Sequence, residues 1–411
     1  FFRAYFYFEK VKRFGEVPWF DTPLTSTDDR LYQGRTDRNT LLDNMLADID
    51  YAAQHLPAAT NVYKITKWTA LAMKSRMALF EGTFRKYHGI AGYERYLQLA
   101  ADAAKDFMDN SPYTIYKEGN TPYMNLFASK NAIKSEVIMA LNYNIGLNIV
   151  HDLNRFFTSD GAKPGLNKKI VDCYLMYDGT RFTDKADYQT MGFYDEMQGR
   201  DPRLAQTIVT PGYKRIGGTD VLSPSFSAAT TGYQIIKGVT TPADDAWHKS
   251  QNDFPLFRAA EVYLNYAEAK AELGTLTQAD LDASILKIRQ RVGMPGIDMA
   301  AANATPDPYL SNEETGYPNV TGANKGVILE IRRERTIELL CEGFRYYDLI
   351  RWKAGKVFEK QFKGMYFGPI DTNKQFTVCD MNGNAVNDAL DICIYSSETI
   401  PSKTDYPELK D

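Results

Sequence analysis

The sequence predicts a mainly α-helical protein, with helical hairpins of tetratricopeptide type carrying an irregular, loop-rich lobe with few short strands. Three observations predict it. Apolar residues recur at spacings of three and four along both ends of the chain. Those stripes are rich in alanine, and small residues let helices approach closely. Between residues 111 and 256 the periodicity gives way to Pro, Gly, Asn, Thr and Tyr.

The elements follow in order. Residues 1–14 place Phe1, Ala4, Tyr5, Phe8 and Val11 on one helical face, and Gly15 and Pro18 stop it. Leu42, Met45, Ile49, Ala52 and Leu56 make a second stripe over 38–56, ending at Pro57. Trp68, Leu71, Ala72, Ser75, Ala78 and Leu79 make a third over 66–86, and Tyr93, Tyr96, Leu97, Ala100, Ala104 and Phe107 a fourth. In the middle, Val137–Leu141 reads as a strand and 166–177 as one interrupting helix. Helices return at 257–274 and 278–292. A polar loop is expected over 301–324, and then helices at 325–341 and 343–355, split at Gly343. The tail from 361 is irregular, with a turn at Asn382-Gly383. The expected organisation is one domain over 1–411 that lacks an N-terminal segment. Its helical scaffold is 1–110 and 257–360, its ligand-binding lobe 111–256 and its tail 361–411. The chain opens on Phe1, already inside a helical pattern, and is read as missing its start.

A chain of 411 residues that is 44% hydrophobic has ample core. A net charge of −4 with interspersed signs gives no basic face for nucleic acid. Cys173, Cys341, Cys379 and Cys393 form no zinc spacing, although Cys379 and Cys393 could meet across a hairpin. His55, His88, His151 and His248 stand apart in sequence. The metalloprotease, P-loop, nucleophile-elbow and dinucleotide motifs are absent, and each absence removes one enzyme class.

Three constellations remain. Glu330–Arg335, continuing through Glu338, Glu342, Arg345, Asp348 and Arg351, is the densest charged segment. Glu338 and Glu342 could serve as the acid/base pair of a helical glycoside hydrolase. A salt-bridge network locking two helices is preferred, because neighbouring arginines keep carboxylates ionised. In it, Asp348 is expected to pair with both Arg345 and Arg351. Asp380, Asn382, Asn384, Asp388 and Asp391 are spaced like a calcium loop but lack its Gly and Glu, so a solvated hairpin is preferred. Finally, Trp247-His248, after Tyr233, lies in the irregular middle among Asp244, Asp245, Lys249, Gln251 and Asn252. A ring that stacks on sugar C–H groups beside amides and acids suits a saccharide. The alternative is a Trp that plugs its loop onto the core.

Several of these segments together resemble the SusD/RagB family of outer-membrane glycan-binding lipoproteins of Bacteroidetes-type bacteria. Ile328–Arg335 with Glu338-Leu339, Glu342-Gly343, Arg345, Asp348-Leu349 and Arg351-Trp352 resembles the family's C-terminal signature. Phe257–Leu264 with Ala267-Glu268-Ala269 resembles the helix before it. Gly199–Leu204 carries the "RDPRL" element, and Asp172–Met176 the "DxYxM" helix. Arg3-Ala4-Tyr5 with Arg13-Phe14-Gly15 and Val17-Pro18 resembles the early segment, and Thr66-Lys67 with Ala70-Leu71-Ala72 the next. The matches run in family order. The resemblance implies a lipid-anchored, surface-exposed lid on a SusC-like TonB-dependent outer-membrane transporter. It implies glycan capture without bond cleavage and without a cofactor, and an anchor outside this segment. Peptide or glycopeptide cargo remains an alternative, as does a helical-repeat scaffold that binds only protein. Trp352 and the Arg/Glu network are implied to be scaffold. The family motifs carry no ligand residues, so Trp247, His248, Tyr233, Tyr143 and Tyr194 are site candidates by composition and placement alone.

Overall fold

The computed structural model describes residues 1–159, 161–368, 376–379, 381–383 and 392–394. Four helices open the chain where the spacing predicts them: α1 (Phe2–Phe14), α2 (Arg38–His55), α3 (Lys67–His88) and α4 (Tyr93–Asn110). Their ends follow local chemistry. The Asp37 carboxylate accepts from the N–H groups of Asn39 and Thr40 at the start of α2. Thr66 and Thr69 form a capping box on α3, and Gly89 closes that helix in the left-handed conformation. The short link 89–92 turns α4 back against α3 as an antiparallel hairpin. Gly82 marks their closest approach: a Cβ there would stand 2.9 Å from the Leu97 backbone nitrogen.

α3 touches α2, α4 and the later helix α5 (Ala259–Leu273), so it is buried nearly all round. α6 (Lys325–Glu338) packs on α5, and α7 (Arg345–Arg351) on α3. One apolar core runs through all seven helices, from Phe8 and Leu42 to Leu329 and Trp352. No helix among the described residues is long and apolar enough to cross a membrane.

The middle of the chain is built from short pieces. Strands β1 (Val137–Leu141) and β2 (Phe254–Arg258) pair antiparallel, with Val137 opposite Arg258. A second core gathers Leu166, Val171, Tyr174, Phe193, Ile208, Tyr233 and Ile236. Ile337 and Leu340, from the end of α6 and just beyond it, belong to this second core, so the lobe is anchored on the scaffold.

Several expected elements differ. The helix expected over 166–177 stops at Cys173, because Tyr174 turns extended and is buried while Met176 bridges Arg200. The 278–292 helix breaks at Ser284 into Gln278–Ala283, Ile285–Arg289 and a 3-10 turn. The supposed loop 301–324 contains helices Met299–Ala304 and Pro308–Ser311, capped by Asp298 and Asp307. The last two helices are shorter than expected, ending at Glu338 and Arg351. Strands β3 (Phe376–Cys379) and β4 (Ile392–Ile394) pair antiparallel, so the hairpin backbone exists. The side chains of Cys379 and Cys393, and Asp380, Asn384, Asp388 and Asp391 of the calcium-like spacing, lie outside the described residues.

The charged segment forms a buried lattice. Glu338 accepts from Arg291 (2.6 Å), Arg258 (2.7 Å) and Arg203 (3.0 Å). Glu334 takes Arg203 (2.5 Å) and Arg289 (2.8 Å), and Glu342 takes Arg258 and Lys237, each at 2.7 Å. Glu136, just before β1, receives Arg291 (2.7 Å) and Arg258 (3.0 Å). The lattice therefore ties α6 to β1, to the junction of β2 with α5, and to the 201–203 and 289–291 segments. Burial alone would push the Glu338 carboxyl up, but the three guanidinium groups outweigh it and hold the group well below the usual range. A second cluster corrects the expected pairing. Asp348 accepts from Arg351 (2.8 Å) and from Arg335 of α6 (2.9 Å). Arg345 donates instead to the hydroxyls of Tyr317 (2.7 Å) and Thr336 (3.0 Å). The buried Trp352 donates its indole N–H to Glu268 at 2.7 Å.

Candidate functional site

The lattice gives no room for an acid/base pair. Glu338 is buried among arginines, and the cavity against Glu342 is only about 30 Å³. That volume suits one water and no sugar ring.

The open chemistry lies on the lobe, where two loop segments meet. His151 and Ser250 form a bridge that joins the 150s to the 250s. His151 accepts at Nδ1 from the Leu153 N–H (3.2 Å), which leaves Nε2 to donate to the Asn252 carbonyl (3.0 Å). The ring of Tyr143 stands 4.6 Å from His151 at 76°. Next comes the short helix Leu153–Thr158, locked by Asn154. This fully buried amide donates to Thr240 Oγ1 (3.0 Å) and accepts from the Thr240 N–H (3.1 Å). It thereby pins the 240s loop to the helix. Arg215 reinforces the pin, donating to the Thr240 carbonyl (2.6 Å) and pairing with Asp245.

On this base sit the exposed groups. Trp247 is 49% exposed, and its ring meets Phe156 at 5.6 Å and 87°. The Arg155 guanidinium lies 5.5 Å from the indole centroid. His248 follows at φ 60°, a left-handed conformation uncommon outside glycine. Its N–H donates to Asp152, and its Nδ1 stands 3.4 Å from the same carboxylate. Ile145, Leu147 and Ile149 form an exposed apolar ridge in the neighbouring turn. The result is an aromatic platform flanked by an imidazole, a guanidinium and carboxylates. Such a surface can stack on a flat ligand face and hydrogen-bond its edge.

Three of the five candidate residues, Trp247, His248 and Tyr143, thus fall on one connected surface. The other two do not. Tyr194 is half-buried on the helix Phe193–Met197, and no ring or hydrogen-bond contact joins it to the platform among the described residues. Tyr233 is fully buried, with its hydroxyl donating to Glu196 at 2.8 Å, so it has no face for a sugar. Phe156, Arg155, Asp152 and Asn154 were missed in the sequence. The available signal was the pair Phe156-Phe157 in a short helix, where one ring packs inward and the other must face out.

Tyr233 belongs to a buried polar set in which Lys168 bridges Glu196 at 2.5 Å and Asp172 at 3.2 Å. Burial pushes the Asp172 carboxyl up to about 6, against the pull of Lys168 and with the Glu196 charge adding to the rise. Unfolded, the group titrates near 4. The folded chain therefore holds extra proton between about pH 4 and 6, and this group's contribution to stability falls as pH rises through that window. Asp172→Asn is expected to raise the thermal midpoint by about 1–3 °C at pH 8 and to give no gain at pH 4. Thermal melts at the two pH values check this, and an equal gain at both would contradict it.

Comparisons with known proteins bear on the family and the fold. The SusD family model matches residues 135–391. Two SusD-like proteins of Formosa agariphila are each 24% identical to this chain, covering 86% and 85% of it. The chain spans only 62% and 64% of their lengths. Among solved structures, a SusD-like protein from Bacteroides fragilis superposes with a TM-score of 0.64 at 24% identity, over 86% of this chain and 67% of that one. A SusD-like carbohydrate binding protein from the same species gives 0.64 at 25% identity, over 87% and 66%. A structure with xylogluco-oligosaccharide gives 0.60 at 18% identity, over 99% and 77%.

Proposed function

The chain belongs to the SusD family, and on that premise we propose that it captures an oligosaccharide at the outer surface of the cell and passes it to a SusC-like TonB-dependent transporter in the outer membrane. The Trp247–Phe156 platform is the observation that carries this reading. It is exposed, it stands on a base pinned by Asn154, and it mixes ring faces with hydrogen-bonding groups. Pre-positioned groups bind without the entropy penalty of ordering a loop. The reading needs no bond cleavage. The carboxylates Glu338 and Glu342, the pair a hydrolase would use, are held ionised by arginines and Lys237.

The ligands of the relatives guide the choice of probe. One relative is a carbohydrate binding protein and another holds xylogluco-oligosaccharide, so a neutral β-glucan such as xyloglucan is tested first. Electrophoresis through gels containing xyloglucan, mixed-linkage glucan or starch is expected to retard the chain in at least one of them. A reducing-sugar assay on the same mixtures is expected to stay at background. Sugar release with turnover would reject the binding reading in favour of a glycoside hydrolase. A second reading, peptide or glycopeptide cargo held by the same lid mechanism, draws support from the apolar ridge of Ile145, Leu147 and Ile149. Retardation by no glycan together with saturable binding of apolar peptides would favour it.

A further inference from the structure

A cavity lined by described residues of the lobe and the 361–368 segment shares no residue with the platform. It encloses about 1270 Å³ between the 361–368 strap, the 188–190 loop and the 309–315 segment. That exceeds the usual range for small-ligand sites and leaves room for several sugar rings. The strap is held in place by its backbone. The Lys168 N–H donates to the Lys363 carbonyl at 2.7 Å, and the Met365 N–H to the Thr231 carbonyl at 2.9 Å. At Gly364 the two segments touch so closely that a Cβ would stand 2.6 Å from the Thr231 oxygen. This docking sets Phe362, 68% exposed, and the exposed Lys363 at the cavity wall. Tyr188 lines the cavity too, braced edge-to-face by Tyr309 at 6.0 Å.

The charges in this cavity are unevenly matched. Lys168 is neutralised by Glu196 and Asp172, and Lys360 at the rim by Glu314 at 2.5 Å. Lys169 and Lys363 have no carboxylate within ion-pair distance among the described residues, in a chain whose net charge is −4. Lys169 also sits partly desolvated. Burial lowers its ammonium below the usual range, offset by Glu314 and reinforced by Lys360 and Lys363. Two ammonium groups without a carboxylate at ion-pair distance among the described residues, beside ring faces, form a site for an anion carried on a flat, C–H-rich body.

We propose that this cleft is a second saccharide site, separate from the Trp247 platform, that takes sugars bearing a carboxylate or sulfate group. Lys169 and Lys363 receive the anion, and Phe362 and Tyr188 supply the stacking faces. The proposal rests on the glycan-binding reading above but makes its own demand, because neutral sugars give the two lysines no partner.

The test is calorimetric titration of the whole chain with trigalacturonate, a chondroitin sulfate tetrasaccharide and a xyloglucan heptasaccharide. At 50 mM NaCl at least one anionic sugar is expected to bind, and its affinity to fall several-fold at 300 mM as screening grows. The double variant Lys169→Gln/Lys363→Gln is expected to weaken that binding at least tenfold and leave the neutral heptasaccharide unaffected. Trp247→Ala is expected to do the reverse. Which anionic sugar binds distinguishes carboxylate from sulfate. Thermal melts confirm that the variants fold. Anionic binding that survives the lysine double variant, or that disappears in Trp247→Ala, overturns the cleft assignment, as does the absence of binding by either anionic sugar. Absence of neutral-sugar binding by the unsubstituted chain, with the anionic arm intact, counts against the platform and not the cleft.

Discussion

Glu338→Ala is expected to lower the thermal midpoint by about 3–6 °C, the largest stability effect of any single substitution considered for this chain. Removing one member of a buried ion pair costs roughly 3–5 kcal/mol, because the partner charge stays in a low-dielectric site without compensation. Here three partners are affected at once. Arg258, Arg291 and Arg203 all donate to Glu338. Arg258 and Arg291 keep Glu136, and Arg203 keeps Asp201 and Glu334. The lattice would survive with excess positive charge, and its remaining carboxylates would be pulled further toward ionisation. Differential scanning calorimetry reads the loss. An unchanged midpoint would mean that Glu338 contributes nothing net to the scaffold.

A double-mutant cycle separates lattice from packing. If charge imbalance is the cause, Arg291→Met in the Glu338→Leu background should recover part of the loss, since apolar replacement of a buried ion pair is often neutral or stabilising. Full additivity of the two substitutions would instead assign the effect to lost volume. The distinction bears on function. Arg258 heads α5, Lys237 lies in the lobe with its Nζ on the Leu340 carbonyl (2.6 Å), and Tyr123 donates to the Glu338 carbonyl (2.6 Å). The lattice is thus one means by which the helical scaffold holds the loop-built lobe in a fixed pose.

The helical scaffold was readable because its signal is local and repeated. The stripes of α1 to α4 recur over several turns, and capping residues such as Asp37, Thr66 and Gly89 agree with them. The failures have physical reasons too. Leu281, Ile285 and Ile288 keep helical phase across Ser284, so periodicity does not register the break there. Met299–Ala304 and Pro308–Ser311 are too short for periodicity, and only their capping aspartates announced them. Spacing along one helix paired Asp348 with Arg345, but Arg335 approaches from α6, and only the tertiary packing decides between them. The site was legible in kind more than in place. Tyr233 and Trp247 both lie in the irregular middle of the sequence, each with polar neighbours. One is fully buried on Glu196 and the other half exposed on Phe156, and the only local hint is the Ile235-Ile236 pair that follows Tyr233 into the second core.

Trp247→Ala is expected to abolish most glycan binding while leaving the fold intact. Covering the exposed half of an indole removes on the order of 100 Å² of apolar surface from water, about 2–3 kcal/mol. That corresponds to a roughly 30- to 150-fold weaker dissociation constant. The ring is half exposed and its loop is held from below by Asn154 and Arg215, so its removal should cost the fold less than about 1 kcal/mol. Trp247→Phe should retain part of the affinity, since a smaller ring still stacks. Phe156→Ala should weaken binding by releasing the indole from its edge-to-face neighbour. Asn154→Ala acts differently: it removes the pin beneath the 240s loop, so it should lower both affinity and thermal midpoint. Tyr194→Ala serves as the outside control and should leave affinity unchanged. Titration calorimetry with the glycan that retards the wild-type chain measures all five. If Trp247→Ala binds as tightly as wild type while Tyr194→Ala does not bind, the ligand sits elsewhere on the lobe, and the platform is only an exposed packing of two rings.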